Sequence, residues 1–285
     1  MNNKNKDVGA LSNLDFSHVV NAAKLVKSGK VYDLGNELSK EMPTLGPEYF
    51  LPFSLIQYRI PEDMPSDEDY KGYSFSSDGV IGAIHTSSHI DGLIHVQHFL
   101  STYGGHKSSD LRTDFGWKKY GAETIPPIIS RGVLLDIAAL KGVDRLDDGY
   151  EVTIEDCKDA LKKQNVMIQK GDIVLINTGK IKEFGVDNEK FQSGEPGPGV
   201  PTAVWLYDNG MVAMGCDNHG CEVLPWEDSG NSVHRALIID RGVHLLENLN
   251  FQELAKDKVY EFMFICLPLK IKGATGSWIR PVAII

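Results

Sequence analysis

Cysteine is scarce in this chain of 285 residues, with only Cys157, Cys216, Cys221 and Cys266. No two of them form a C-x2-C pair, and their positions follow no regular spacing. A disulfide framework and a structural zinc site built on thiolates are therefore not predicted. Since stable disulfides belong to oxidising compartments, we expect a reduced, cytoplasmic protein.

Basic residues are also in the minority, with 29 Lys and Arg against 39 Asp and Glu and a formal net charge of -10. A nucleic-acid-binding protein needs clustered Lys and Arg to neutralise phosphates, so this class is not expected. The longest apolar run, residues 262–269, is far shorter than the roughly 20 residues that span a bilayer. The polar N-terminus shows no signal peptide, and we predict no association with a membrane.

Short apolar, β-branched runs alternate with helical patterns along the chain. The runs predict buried strands at residues 80–85, 132–137, 172–178, 211–216, 236–240 and 260–269. Helices are predicted at residues 15–28, 153–164 and 202–209. This alternation favours an α/β fold. Because no shift in composition marks a linker, we predict one domain over residues 13–285, preceded by a disordered polar segment over residues 1–12.

The most informative segment is residues 85–95, where three imidazoles and a carboxylate lie close together in the sequence. They are His85, His89, Asp91 and His95, in the pattern H-x3-H-x-D-x3-H. Two neutral imidazoles and one carboxylate suit a divalent transition metal and leave coordination positions open for water and substrate. We therefore predict that His85, His89 and Asp91 hold a catalytic metal ion.

Neither regular secondary structure brings these four side chains together. On a helix, Asp91 would point away from His85 and His89. On an extended strand, His85 and His95 would lie roughly 33 Å apart. We therefore predict that the segment leaves a strand and bends sharply, with Gly92 as the position of unusual backbone dihedrals.

His95 lies just outside the predicted metal-binding triplet. A bound metal ion lowers the pKa of water from about 15.7 to about 7 and polarises a substrate carbonyl. A free imidazole has a pKa of about 6.5 and transfers protons readily at neutral pH. His95 is accordingly predicted to carry a proton from that water to the leaving group.

The motif resembles H-x-G-T-H-x-D-x-x-x-H, the signature of the putative cyclase family, which includes bacterial kynurenine formamidase and isatin hydrolase. Other segments resemble the family in the same order along the chain: residues 32–34, 42–43, 131–136, 171–179, 234–237, 247–249 and 276–283. Ser87 and Ser88 stand where the family has Gly-Thr. The turn between the first two histidines therefore has to accommodate a side chain at position 87.

The resemblance implies a fold, an assembly and further ligands. The implied fold is a single swivelling-type β/α/β domain with a mixed sheet and flanking helices, and the implied assembly is a homodimer or homotetramer. His234 and Glu247 correspond to ligands of a second ion in relatives that bind two zinc ions, whereas other relatives bind one manganese ion. The expected cofactor is therefore zinc or manganese, as one or two ions.

These observations together predict a metal-dependent hydrolase that cleaves the C–N bond of a small cyclic or N-formyl aryl amide. Two alternatives stay open: hydrolysis of a lactone at the same metal site, and a non-catalytic metal- or ligand-binding protein on this scaffold. Tyr49, Phe50 and Phe53, in a loop rich in Pro and Gly, are predicted to contact the small-molecule substrate.

Overall fold

A nine-stranded mixed sheet organises the chain in the computed structural model, which describes residues 6–46, 48–63, 71–226 and 228–285. The strands of this sheet and of three two-stranded sheets are β1 (Val31–Asp33), β2 (Ser54–Arg59), β3 (Ser77–Ile81), β4 (His89–Asp91), β5 (Arg112–Thr113), β6 (Gly116–Trp117), β7 (Ile128–Asp136), β8 (Glu151–Val152), β9 (Asp172–Asn177), β10 (Gly197–Pro198), β11 (Met211–Cys216), β12 (His244–Glu247), β13 (Glu261–Cys266), β14 (Gly276–Trp278) and β15 (Val282–Ile284). The α-helices are α1 (Phe16–Ala23), α2 (Ser108–Leu111), α3 (Ile137–Lys141), α4 (Ile154–Gln164), α5 (Asn188–Gln192), α6 (Val200–Asp208) and α7 (Gln252–Asp257).

The strand order in the large sheet is β1-β15-β13-β7-β9-β11-β12-β4-β14. The four central strands, from β7 to β12 in this order, run parallel, and antiparallel strands flank them on both sides. Every residue of β9 and β11 is buried, as expected for parallel strands covered on both faces. The predicted α/β class, with a mixed sheet and flanking helices, is confirmed.

Helices α3, α4 and α6 pack against one another and against the central strands. Helix α4 begins where the sequence predicts, because Thr153 and Asp156 form a capping box. Thr153 Oγ1 accepts a hydrogen bond from the Asp156 backbone N–H at 3.1 Å, and Asp156 Oδ2 accepts one from Thr153 N–H at 3.0 Å. Within the described part of the chain, no helix has the length and apolar character needed to cross a membrane.

Two predicted strands are wrong. Residues 235–239 form a π-helical turn, Arg235–Ile239, because a short apolar run is compatible with either structure and packing decides between them. The run at residues 80–85 is not one buried strand: β3 ends at Ile81 and pairs with β2 in an exposed hairpin, and only His85 of the run is buried. The buried strand in this region is β4, which lies inside the histidine motif.

The N-terminal segment also differs from its prediction. Residues 6–12 were expected to be disordered, but they belong to a 3-10 helix, Lys6–Asn13. Ala10 and Leu11 are buried, and the Ala10 N–H donates a hydrogen bond to the Gly242 carbonyl. These small apolar side chains anchor an otherwise polar segment; residues 1–5 lie outside the described residues.

Candidate metal centre

Residues 85–91 form a tight turn that runs into β4. Ser87 has a φ of 50°, in the left-handed region, and this conformation reverses the chain between His85 and His89. Ser88 Oγ donates a hydrogen bond to the Asn248 carbonyl at 2.7 Å, which fixes the turn against the end of β12. The structure thus contains the predicted bend, but its unusual dihedral belongs to Ser87 rather than Gly92.

Gly92 has a different role from the predicted one. Its φ is not in the left-handed region, and the Thr275 carbonyl oxygen lies 2.8 Å from where a Cβ atom would stand. A side chain at position 92 would therefore collide with backbone. The glycine allows β4 to lie close to the segment that precedes β14.

The turn and β4 bring the four motif residues together around one carboxylate. His85 Nδ1 lies 2.9 Å from Asp91 Oδ1, and His89 Nε2 lies 3.5 Å from the same oxygen. His95 Nε2 is 4.0 Å from it. The structure therefore brings these four side chains together, as predicted.

His234 and Glu247 join this group from elsewhere in the chain. Glu247, the last residue of β12, is the register partner of His89, and its Oε2 lies 3.1 Å from His89 Nε2. His234 precedes the π-helical turn, and its Nε2 lies 3.2 Å from Glu247 Oε1 and 3.5 Å from Asp91 Oδ2. Asp91 thus presents one oxygen to the motif histidines and the other to His234.

Three of the imidazoles are held in place through the ring nitrogen that faces away from Asp91 and Glu247. His89 Nδ1 donates to the Ser87 carbonyl at 2.9 Å, and His85 Nε2 lies 2.8 Å from Thr275 Oγ1. His234 Nδ1 lies 2.6 Å from Glu222 Oε1. Outer hydrogen bonds of this kind orient the histidine ligands of metal ions, because they fix both the ring and its tautomer.

Several buried atoms of this group make no hydrogen bond of good geometry among the described residues, although they lie close to one another. They are His85 Nδ1, His89 Nε2, both carboxylate oxygens of Asp91, and Glu247 Oε1. Buried polar atoms are nearly always hydrogen-bonded, so a convergent set without partners requires an explanation. Imidazole nitrogens and carboxylate oxygens are ligands of zinc and manganese, and a divalent cation at this place would satisfy all of these atoms.

The distances group the ligand atoms differently from the predicted triplet. Atoms of His85, Asp91 and His95 lie within 4.8 Å of one another, as do atoms of His89, Asp91 and Glu247. Asp91 belongs to both groups. Asp91 would therefore hold a metal ion together with residues of either group, and His95 lies close enough to act as a ligand or as a proton carrier.

The electrostatics of the group favour a cation. Burial opposes ionisation of Asp91, but His95, His234 and His85 hold the pKa of its carboxyl well below the usual range. Burial and Asp91 likewise oppose ionisation of Glu247, yet His234 and His89 lower its pKa to about 2. Two carboxylates are therefore ionised at neutral pH, and they carry the charge that balances one divalent ion.

His95 is held as a neutral imidazole. Burial, opposed by Asp91, lowers its pKa to about 3, and the neighbouring His85 and His234 add to the lowering. Its ring stacks on that of His85, with centroids 3.7 Å apart and an interplanar angle of 21°. The imidazole is therefore neutral at physiological pH and fixed in orientation.

A cavity of about 500 Å³ opens beside this group and is lined by His85, His95, His234 and Glu247. Its apolar lining is formed by Leu45, Phe50, Val96, Phe191, Leu224, Trp226 and Ile239. A largely apolar cavity with a few convergent polar groups is the usual form of a small-molecule site.

The predicted substrate loop contributes one of its three aromatic residues. Phe50 lines the cavity, and its ring meets that of His219 at 6.2 Å in an edge-on arrangement. Tyr49 is 74% exposed, and Phe53 packs edge-on against Trp278 at 6.1 Å. Neither Tyr49 nor Phe53 lines the described part of the cavity, and contact of these two with a substrate stays a prediction.

The sequence assigns no role to Glu222 and Glu195, two acidic residues near the site. Glu222 orients His234, and its Oε2 accepts a hydrogen bond from the Val233 N–H at 2.6 Å. Glu195 lines the cavity and accepts hydrogen bonds from the N–H groups of His219 and Gly220, each at 2.8 Å.

Asp217 faces away from the metal-binding group. It accepts hydrogen bonds from the Thr178 hydroxyl and from the N–H groups of Thr178 and Gly179. Its role is to fix the end of β9 against the end of β11. The nearby Gly215-Cys216-Asp217 sequence carries no signal that separates this role from metal binding.

The family model described as Putative cyclase matches residues 32–223, more than half of the chain. The chain belongs to this family. A crystal structure of a novel cyclase has a TM-score of 0.88 at 28% identity, with 99% of this chain and 97% of that chain covered.

More distant structures include two isatin hydrolases. One, bound to the product analogue thioisatinate, has a TM-score of 0.68 at 19% identity, with 95% of this chain and 99% of that chain covered. Isatin hydrolase A from Ralstonia solanacearum has a TM-score of 0.66 at 21% identity, with coverages of 89% and 91%. At these identities the likeness concerns the fold of the cyclase domain. Among curated proteins, no sequence matches the chain.

Proposed function

We propose that this cyclase-family protein hydrolyses the C–N bond of a small amide, either a cyclic amide or an N-formyl aryl amine, with the help of zinc or manganese. The residues proposed to hold the metal are His85, His89, Asp91, His234 and Glu247. The observation that carries the proposal is the convergence of buried, unpartnered nitrogen and oxygen atoms beside the cavity. A divalent ion bound there supplies a Lewis acid for the substrate carbonyl and lowers the pKa of bound water.

His95 is proposed to move the proton that amide hydrolysis requires. An amide nitrogen is a poor leaving group until it is protonated, so a group within reach of both the water and the nitrogen is needed. His95 lines the cavity, and its Nε2 lies 4.0 Å from Asp91 Oδ1. In this reaction the imidazole accepts a proton from water and donates it to the nitrogen as the C–N bond breaks, giving a carboxylic acid and an amine.

The other residues of the site hold this arrangement in place. Glu222 keeps the Nε2 atom of His234 directed at the carboxylates, and the stacked His85 ring limits rotation of His95. The apolar wall excludes water, which strengthens electrostatic interactions with the reacting carbonyl. The isatin hydrolases support the substrate class, because isatin contains a cyclic amide and those proteins share this fold.

The test compares chelator-treated protein with the same protein reloaded with Zn²⁺ or Mn²⁺. Hydrolysis of isatin, N-formylkynurenine and a small lactone is measured for each sample. We expect amide hydrolysis only after reloading. His95→Ala should bind metal normally and lose about 10²- to 10⁴-fold in kcat. His106→Ala is the matched control, since this half-buried histidine contacts Tyr120 instead of the site.

Two results would contradict the proposal. Hydrolysis of the lactone without any amide hydrolysis would assign the site to ester chemistry, which needs no protonation of a nitrogen. Metal binding without turnover of any substrate would favour a binding protein. An active His95→Ala enzyme would specifically refute the role of His95.

A further inference from the structure

Arg235 is the only lysine or arginine among the described residues that line the cavity. It follows His234 in the chain and begins the π-helical turn. One of its terminal nitrogens, Nη1, donates a hydrogen bond to the Gly230 carbonyl at 2.6 Å. Among the described residues, no carboxylate lies within ion-pair distance of this half-buried guanidinium.

The acidic residues in the cavity wall are not available as counter-ions. Glu195 is bound to the backbone of residues 219 and 220, and Glu222 to His234 and to the backbone of Val233. Glu247 belongs to the metal-binding group. A partly desolvated cation without a counter-ion is unfavourable, so a ligand that carries a negative charge would be stabilised beside it.

Ser232 adds a second polar group at the same place. Its hydroxyl oxygen accepts a hydrogen bond from the Arg235 N–H at 3.2 Å, and the residue lines the cavity. The hydroxyl hydrogen has no acceptor among the described residues, so it is free to donate to a ligand. A guanidinium fork beside a hydroxyl donor matches the two oxygens of a carboxylate.

The charge of the surroundings favours a carboxylate over a phosphate. Two carboxylates, of Glu222 and Glu247, line the same cavity and would repel a dianion. A single guanidinium, with one nitrogen already bound to Gly230, balances one negative charge.

We propose that Arg235 and Ser232 form a binding subsite for a carboxylate on the substrate, so that the amide hydrolysed at the metal centre is anionic. This inference rests on the proposed function and specifies its substrate class. Since Arg235 and His95 line the same cavity, the two ends of one small aryl amide would reach the carboxylate subsite and the metal centre together. The subsite selects among substrates, whereas the metal-binding residues perform the chemistry.

The kinetic test uses formanilides that carry a carboxylate at the ortho, meta or para position, each paired with the corresponding carboxamide. Wild-type protein should prefer at least one carboxylate to its carboxamide. Arg235→Gln should raise KM for that carboxylate about 10- to 100-fold, with kcat and the carboxamide kinetics nearly unchanged. Arg235→Lys should retain part of the preference, because it keeps the charge but not the planar fork.

Arg241→Gln is the matched control. Arg241 is also half-buried and also donates from Nη1 to a backbone carbonyl, that of Ala236 at 2.8 Å, but it does not line the cavity. This variant should keep the wild-type preference. An equal loss with carboxylate and carboxamide in Arg235→Gln, or no loss with either, would overturn the proposal.

A binding measurement separates the subsite from the chemistry. Calorimetric titration of metal-free protein with the same compounds should show tighter binding of a carboxylate than of its carboxamide, and Arg235→Gln should abolish this difference. If no formanilide is hydrolysed, the proposed function fails, yet this titration still decides the subsite. Equal affinity of wild-type protein for both compounds of every pair would refute it.

Discussion

Two clusters of charged and titratable side chains in this protein have different roles. The lysine cluster consists of Arg145, Asp148, Lys180, Glu183 and Lys190. The metal-site cluster consists of His85, His89, Asp91, His95, His234 and Glu247. Lys180 is fully buried, yet its Nζ lies 2.8 Å from Asp148 Oδ1 and 2.9 Å from Glu183 Oε2.

The difference lies in which charges each cluster contains. In the lysine cluster, Glu183 Oε1 and Arg145 Nε also make no hydrogen bond of good geometry, but Glu183 Oε1 lies 2.7 Å from both Arg145 Nε and Lys190 Nζ, so opposite charges face each other. In the metal-site cluster, carboxylate oxygens face imidazole nitrogens, and no lysine or arginine of the described residues pairs with Asp91 or Glu247. The lysine cluster thus contains permanent cations and stabilises the fold, whereas the metal-site cluster offers imidazoles, which give up their protons when they bind a metal ion.

Asp91→Asn should have the largest effect on activity and little on the metal-free fold. We expect hydrolysis to fall by about 10³-fold or more, because Asp91 belongs to both candidate ligand groups and its negative charge is lost. The free energy of unfolding of metal-free protein should fall only modestly, because the histidines that lower the pKa of Asp91 lose a charged partner while the cost of burying that charge disappears. Enzyme assays and urea unfolding measure the two effects.

Asp217→Asn is the control for this variant, because Asp217 is equally buried but accepts three hydrogen bonds. It should reduce stability and leave metal binding intact. The same response from both variants would remove the distinction between the two kinds of buried carboxylate.

Lys180→Met should reduce stability and leave metal binding unchanged, which is the opposite of the pattern expected for Asp91→Asn. Removing this cation leaves the carboxylates of Asp148 and Glu183 without their buried partner, and we expect a loss of about 3–5 kcal/mol in the free energy of unfolding. The metal content of the folded protein should not change. Urea unfolding with elemental analysis checks both, and a stable Lys180→Met protein would contradict the structural role of the cluster.

Glu222→Gln should weaken metal binding without removing a ligand. The neutral amide no longer favours the imidazole orientation in which His234 Nε2 faces Asp91 and Glu247, so we expect about a 10- to 100-fold loss of metal affinity. Competition with a chromogenic chelator measures the affinity. Unchanged affinity would mean that His234 is positioned by the π-helical turn alone.

The smallest predicted effect is the pH dependence of the stability lost in Glu183→Gln. Burial opposes ionisation of Glu183, but Lys190, Lys180 and Arg145 lower its pKa below the ordinary 4.5. A carboxyl with a lowered pKa in the folded state contributes stability above its unfolded pKa, and this contribution disappears as the pH falls through the folded pKa. The difference in unfolding free energy between wild type and Glu183→Gln should therefore be full at pH 7 and smaller at about pH 3. A constant difference would show that the charge of Glu183 is not what stabilises the cluster.

The parts of the structure that follow from local sequence patterns were predictable. The Thr153–Asp156 capping box defines the start of α4, and continuous apolar runs predict β9 and β11. The histidine motif could be found because its members lie close in sequence and fit no single regular element. The resemblance to the cyclase family added His234 and Glu247, which lie far from the motif in the chain.

What the sequence could not predict depends on tertiary packing. The apolar run after His234 forms a π-helical turn because of its neighbours, not because of its composition. The role of Glu222 depends on a loop after β11 that places its carboxylate 2.6 Å from His234. Phe50 and Phe53 look equivalent in sequence, yet one lines the cavity and the other packs against Trp278.

The central claim is that the buried, unpartnered atoms around Asp91 bind a divalent metal ion. The most direct test is calorimetric titration of chelator-treated protein with Zn²⁺ or Mn²⁺, for wild type and Asp91→Asn side by side. Wild-type protein should bind at least one equivalent of metal, and Asp91→Asn should bind far more weakly or not at all. Absence of binding to wild-type protein, or equal binding to both, would contradict it.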